Sequence, residues 1–190
     1  NMWSDDFTRV ATVVDTEPIS LFTVETSDNG GLNIDEIIST VENTDYVSKL
    51  VWSPDNTMLA LITRDEGAET SAWVYDAETG ELIHRLRPTF PATLYDISWS
   101  PDSTMVAMAG RRGIAGSGEI EYRLDVEAID LSSEEAQHIL TVLDIDTTFY
   151  HAWHPDSQAI AVHLSSGIDI YPITSLSIGI TPTPIATIPD

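Results

Sequence analysis

His151 and His154 stand three residues apart, with Asp144, Asp146 and Asp156 close by in the chain. Imidazole and carboxylate are metal-ligating groups, but a metal needs them to converge on one point. The stretch reads as a strand, and residues three apart on a strand face opposite sides, so one ion cannot easily take both histidines. No metal centre is expected. Asp55, Asp102 and Asp156 each follow a proline, in "SPDN", "SPDS" and "HPDS". A carboxylate that returns with the same turn reads as turn structure, not as a catalytic group. The glycines of "GRRGIAGSG" (110–118) run in the wrong order for a dinucleotide loop, and no helical pattern follows, so the segment reads as a solvent loop between two strands. The sequence has no G-x-S-x-G, no P-loop and no H-E-x-x-H. No catalytic residue and no cofactor are expected.

The turns belong to a repeat. "KLVWSPDNTMLALIT" (49–63), "YDISWSPDSTMVAMAG" (95–110) and "YHAWHPDSQAIAVHL" (150–164) share one phrase, and "MWSDDFTRVATVV" (2–14) is a weaker copy. The anchors Trp3, Trp52, Trp99 and Trp153 are spaced by 49, 47 and 54 residues. In each copy an apolar residue follows the Trp by seven (Val10, Leu59, Val106, Ile160) and an alanine by eight (Ala11, Ala60, Ala107, Ala161). The Trp run alternates like a half-buried strand. Pro presets the turn and Asp can hydrogen-bond its backbone. "MLALIT", "MVAMAG" and "AIAVHL" are apolar or small throughout, as expected of strands covered on both faces. Third strands follow at 19–25, 71–77, 123–131 and 167–173, and fourth strands at "NIDEIIST", "ELIHRLR" and "AQHILTVL". In the last copy "SIGITPTPIATIPD" is tolerable only as an outermost edge strand or as a linker. The anchor tryptophans Trp52, Trp99 and Trp153 are expected in the core between repeats and not in a ligand cage.

Composition narrows the class. Apolar content of 42% supports a folded chain, and 190 residues suffice for a sizeable core. The absence of cysteine excludes disulfides and thiolate zinc sites. Net charge is −23, and Lys49 is the only lysine. Such a surface repels phosphate backbones and anionic lipid, so neither nucleic acid nor a membrane surface is an expected partner. Acidity favours solubility and, among proteins, a basic partner.

Four strands per repeat of about 47 residues point to blades of a β-propeller. The stretch "YVSKLVWSPDNTMLALITRDEGAETSAWVYDAETGEL" resembles a WD40 blade, with its Ser-Pro-Asp turn, its Tyr75-Asp76 pair and its Thr-Gly turn. The "WSPD" wording is similar to the TolB-type propellers of bacteria. The Gly-His pair and the Trp of the Trp-Asp pair are absent, so the resemblance is to the broad WD40-like class. The expected fold is all-β, with four four-stranded antiparallel blades near 1–45, 46–92, 93–147 and 148–173, and a Pro/Thr-rich edge strand or linker over 174–190.

In such a fold the loops between second and third strands and those between blades share one rim, which the resemblance marks as a place of partner contacts. That rim collects Tyr46, Phe90, Tyr95, Phe149 and Tyr150 with Arg64, Arg111 and Arg112, residue types enriched in binding hot spots. The leading reading is a non-catalytic protein-interaction or scaffold module of a larger, bacterial-type protein. The alternatives are an accessory propeller of a larger enzyme, such as a serine-peptidase-like hydrolase, and a structural assembly subunit. The chain reaches Trp3 at once, as if the pattern were entered part-way, and its Pro/Thr-rich end points to a neighbouring domain or an extracytoplasmic setting. Four blades are expected to form an open arc, completed by further blades or by another chain. A compact four-bladed ring is the competing arrangement.

Overall fold

A computed structural model describes residues 2–14, 18–41, 46–65, 70–86, 93–133, 135–148, 150–173 and 183–189, with 35–39 described as backbone only. All its regular elements are strands, in four antiparallel sheets. The first sheet holds β1 (Arg9–Thr12), β2 (Ile19–Thr26) and β3 (Leu32–Val41). The second holds β4 (Tyr46–Trp52), β5 (Met58–Arg64), β6 (Thr70–Asp76) and β7 (Leu82–Leu86). The third holds β8 (Thr93–Trp99), β9 (Met105–Gly113), β10 (Ile120–Ala128) and β11 (Gln137–Leu143). The fourth holds β12 (His151–Trp153), β13 (Ala159–Leu164), β14 (Gly167–Pro172) and β15 (Ala186–Pro189). Neighbours in sequence are neighbours in each sheet, which is the meander of a propeller blade. The innermost strand of the first blade is reduced to a bridge between Trp3 and Val10. The outermost strand of the last is β15, at the sheet edge where its proline is harmless.

The recurring turn is built by its carboxylate. Asp55 Oδ1 accepts from Ser53 Oγ (2.6 Å), Thr57 Oγ1 (2.8 Å) and Thr57 N (3.1 Å). Asp102 repeats this with Ser100 and Thr104, and Asp6 with Ser4 and Thr8. Burial alone would raise the Asp55 and Asp102 carboxyls. The hydroxyl and N–H donors outweigh it and hold both below the ordinary carboxylate value.

Alternation along the second strand then sorts the side chains between two neighbours. Leu59 and Leu61 of β5 pack with Ala11, Ile19 and Leu21 of the first blade, while Ala60 and Ile62 pack with Ile97, Val106 and Met108 of the third. Ala107 and Ala109 of β9 face Ile160 and Val162 of the fourth. The anchor tryptophans lock these interfaces. Trp52 and Trp99 are 6% and 7% exposed. The indole of Trp52 donates to Met2 O (3.1 Å), that of Trp99 to Val51 O (3.3 Å) and that of Trp153 to Ser98 Oγ (3.1 Å), each one blade back. Gly110 sits where β8 bulges between Leu94 and Asp96, and a Cβ there would lie 2.6 Å from Thr93 O. Among the described residues no apolar cluster joins the fourth blade to the first. Among the described residues the blades thus pack in a row, first on second, second on third and third on fourth.

Two measurements test this account. Trp52→Ala and Trp99→Ala should each lower unfolding free energy by about 3–5 kcal/mol in urea titrations, the range for a buried aromatic; parent-like midpoints would refute the interblade lock. A carboxyl held low in the folded state contributes stability above its unfolded value of 3.8 and loses it as pH falls through its folded value. The doubly substituted Asp55→Asn/Asp102→Asn chain, which has no charge to titrate there, should show a shallower fall of melting temperature below pH 3.8 than the parent. Parallel acid limbs would assign acid sensitivity to other groups.

Candidate functional site

The rim is set by strand ends. Tyr46 opens β4 opposite Arg64, the last residue of β5. Thr93 opens β8 opposite Arg111 of β9, and Tyr95 stands in the bulge two residues on. Tyr150 precedes β12, and its carbonyl accepts from His163 N (3.0 Å). Register thus brings Tyr46, Arg64, Tyr95, Arg111 and Tyr150 to one edge of the row. Tyr46, Tyr95 and Tyr150 are 61%, 39% and 71% exposed. The Arg111 guanidinium lies 5.3 Å from the centre of the Tyr95 ring, a cation–π stack that holds both side chains at the surface. Phe90 and Phe149 lie outside the described residues.

The two adjacent arginines sit differently from the solvent loop that the glycines imply. β9 runs on to Gly113, so the turn begins only at Ile114, and both arginines lie on the ladder with β10. Arg112 is half-buried and bidentate on Glu121, with Nε to Oε1 at 2.9 Å and Nη2 to Oε2 at 3.2 Å. Its role is to tie β9 to β10. Arg111, on the alternate face, is the exposed one of the pair.

Below the rim the innermost strands carry a polar seam. Lys49 of β4 pairs with Asp96 of β8. Ser98 of β8 bonds His151 Nε2 of β12 at 2.7 Å and accepts from the Trp153 indole, so this hydroxyl joins third blade to fourth. His154 instead serves its own turn, its Nδ1 donating to Asp156 Oδ1 at 2.6 Å. The two histidines of the metal-like cluster therefore go to different partners. A hollow of about 380 Å³ opens beside Tyr46, lined by Met2, Val13, Val47, Ser48, Lys49 and Leu50.

Sequence reading missed a buried charge network in the third blade. Arg123 and Asp125 of β10 are each 1% exposed, and Glu127 is 3%. Arg123 Nε and Nη2 donate to Asp125 Oδ2 and Oδ1 at 2.9 and 2.5 Å. Thr141 Oγ1 of β11 donates to Asp125 Oδ1 at 2.6 Å and meets His138 Nε2 at 3.2 Å. Burial pushes the His138 imidazole below its ordinary value, partly opposed by Asp125 and reinforced by Arg123. The signal is the run Glu121, Arg123, Asp125, Glu127 alternating with Tyr122, Leu124, Val126 and Ala128. Alone it reads as one wet face, whereas the second blade covers it.

Comparison with solved structures places these blades among propellers. The chain is similar to a 6-phosphogluconolactonase-like protein of Bacteroides uniformis, described as a putative one (17% identity, 96% of this chain, 52% of that one, TM-score 0.62). It is similar to Sqt1 from Chaetomium thermophilum (21% identity, 90% and 42%, TM-score 0.54). It is also similar to a complex of KlAtg21 with the coiled coil of AgAtg16 (15% identity, 87% and 50%, TM-score 0.57). At these identities the likeness is one of fold. The chain spans about half the length of these structures or less. No family model matches it, and no curated protein matches it in sequence.

The buried pair has a measurable consequence. Arg123→Ala strands the Asp125 carboxylate in the interior and should cost about 3–5 kcal/mol in urea unfolding. Removing both charges with Arg123→Leu/Asp125→Leu should cost less than removing one. A double variant weaker than Arg123→Ala would mean that the network contributes more than mutual neutralisation.

Proposed function

We propose that this chain is a non-catalytic interaction module whose propeller blades dock a protein partner on the rim of Tyr46, Tyr95, Arg111 and Tyr150. One observation carries the reading: three successive blades each bring an exposed tyrosine to the same rim, and the middle one is held under an exposed arginine. Tyrosine and arginine combine large contact area with little entropy to lose, and they dominate binding hot spots. A net charge of −23 favours a basic partner, with association that weakens as salt rises. A propeller docking a coiled coil, as in the KlAtg21 complex, supports the class of activity without identifying this chain's partner.

The second reading is an accessory propeller within a larger enzyme. What favours it is the likeness to a lactonase-like propeller together with a chain that spans only half of it. A hydrolase domain in the same longer reading frame would decide for it.

The test is site-directed photocrosslinking. A photoreactive residue at Tyr95 should capture a partner that the same residue at Glu78, in the turn at the far end of the second blade's strands, does not. Against that partner Arg111→Ala, which removes the stack on Tyr95, should weaken Kd by about 30-fold, the effect of a hot spot of ~2 kcal/mol. Equal capture from both positions, or an unchanged Kd, would remove this rim from the interface.

A further inference from the structure

The two end faces of the row carry the groups that elsewhere meet at an interface between blades. On the fourth blade Ala152, Ala161, Ile170 and Ala186 pair in one register row across all four strands, with His163, Ile168 and Ile188 beside it. The matching row of the third blade, through Ala107, Val126 and Leu140, is buried against the fourth. On the first blade the outward row is Trp3, Val10 and Phe22. Beside it lies a hollow of about 530 Å³ lined by Trp3, Asp6, Phe7, Thr8, Val24, Glu25, Thr26 and Leu32. Its counterpart in the second blade, Trp52, Leu59 and Tyr75, is buried against the first. Trp3 holds the anchor position and its ring tilts on that of Phe7, centroids 6.5 Å apart, yet its indole N–H reaches no acceptor among the described residues. In the other blades that indole reaches the residue just before the preceding anchor, Met2, Val51 or Ser98. Continued by one blade, the series arrives at Ala152.

The turns say which blade fits there. At the three formed interfaces a turn N–H donates to the side chain four residues after the next anchor. Asp5 N reaches Asn56 Oδ1 (3.2 Å), Asp55 N reaches Ser103 Oγ (3.1 Å) and Asp102 N reaches Ser157 Oγ (3.1 Å). Asn56, Ser103 and Ser157 all adopt positive φ, 60°, 62° and 63°. Phe7 occupies the same position with φ 59°, where a bulky aromatic is a steric outlier and no hydrogen bond can be accepted; it is 70% exposed. The fourth blade departs from the pattern on the opposite side. His154 replaces the turn serine, and while its Nδ1 donates to Asp156 Oδ1 its ring stands beside the Asp156 N–H that would otherwise reach forward, with Nδ1 3.4 Å from that nitrogen. One blade has lost the acceptor and one has covered the donor. Those two departures meet at a single interface: fourth blade of one copy against first blade of another.

We infer that two copies of this chain close on each other head to tail, each fourth blade seated on its partner's first blade. Two identical contacts of this kind give an eight-bladed ring, within the range in which propellers close, with cyclic symmetry. Phe7 packs on the turn at His154 and Pro155, and the partner's Trp3 donates to Ala152. The two net charges of −23 repel, so this association strengthens as salt rises. That is opposite to the salt dependence of the rim contact, and the inference stands apart from the proposed function.

Analytical ultracentrifugation of the chain decides it. The expected species is a dimer of twice 20.9 kDa, favoured by salt and concentration. Phe7→Asn restores the residue type that suits positive φ, so it should keep or raise the melting temperature while weakening dimerisation at least about tenfold, as loss of a buried aromatic anchor does. Ile168→Glu, on the opposite end face, should do the same. The chain has no cysteine of its own, so Phe7→Cys and His154→Cys report geometry directly. A short bismaleimide should join a mixture of the two single variants and neither alone. A monomer at every concentration and salt, open-ended polymers, a dimer indifferent to both substitutions, or a single-cysteine variant that crosslinks to itself would each overturn the inference.

Discussion

The second blade is apolar on both faces, and water tolerates neither. β5 reads Met58-Leu59-Ala60-Leu61-Ile62 with all five side chains buried, the odd-numbered ones facing one neighbour and the even-numbered ones the other. No such sheet can stand alone, and a sandwich of two would still leave two faces wet. The solution is a series in which each blade covers the next, and the tryptophan at the end of the first strand fixes the spacing. Its indole N–H needs an acceptor once buried, and the backbone one blade back supplies it. The small residue eight positions after each anchor (Ala60, Ala107) leaves room for the following blade to approach.

The third blade departs from this economy. Arg123, Asp125 and Glu127 occupy the face that in the second blade is filled by Tyr75 and Trp73. Removing such charges from water is costly unless they find partners of opposite charge, and for Arg123 and Asp125 the bidentate contact, extended by Thr141, meets that condition. The same strand continues outward to Glu121, which holds Arg112. Glu121 also lies 3.9 Å from Arg123 Nη1, so a chain of charges runs from the buried seam to the rim. Beside the Arg111–Tyr95 stack, β9 is thereby anchored to β10 by an ion pair one residue away.

The rim and the end faces have different characters because different constraints act on them. Rim residues lie at strand ends, where no blade has to pack, so aromatic and charged groups can stay exposed there. End faces lie along the strands, where the repeat itself dictates apolar rows. The proposed rim contact would be steered by the acidic field of the whole chain, whereas the inferred contact between end faces would work against that field and depend on burial.

The architecture was legible in the sequence because it is repeated. Four anchors in register, each followed by a turn proline or aspartate and an apolar-then-alanine pair, determine strand, turn and facing without reference to distant residues. Sequence also placed Tyr46, Tyr95, Tyr150 and Arg111 at one edge, since a meander puts alternate turns on the same side. What it could not determine is that a charged face is covered, or which of two like neighbours is. Glu121, Arg123, Asp125 and Glu127 alternate as a solvent-facing row does, and only the second blade packed on them makes the row an interior. Arg111 and Arg112 are adjacent and alike in sequence; the ladder with β10 turns one to Glu121 and leaves the other over Tyr95. Local pattern carries periodicity, and periodicity sets the elements. Burial is a property of what lies across the interface, and that is decided by residues some 50 positions away, a separation read from the spacing of the anchors.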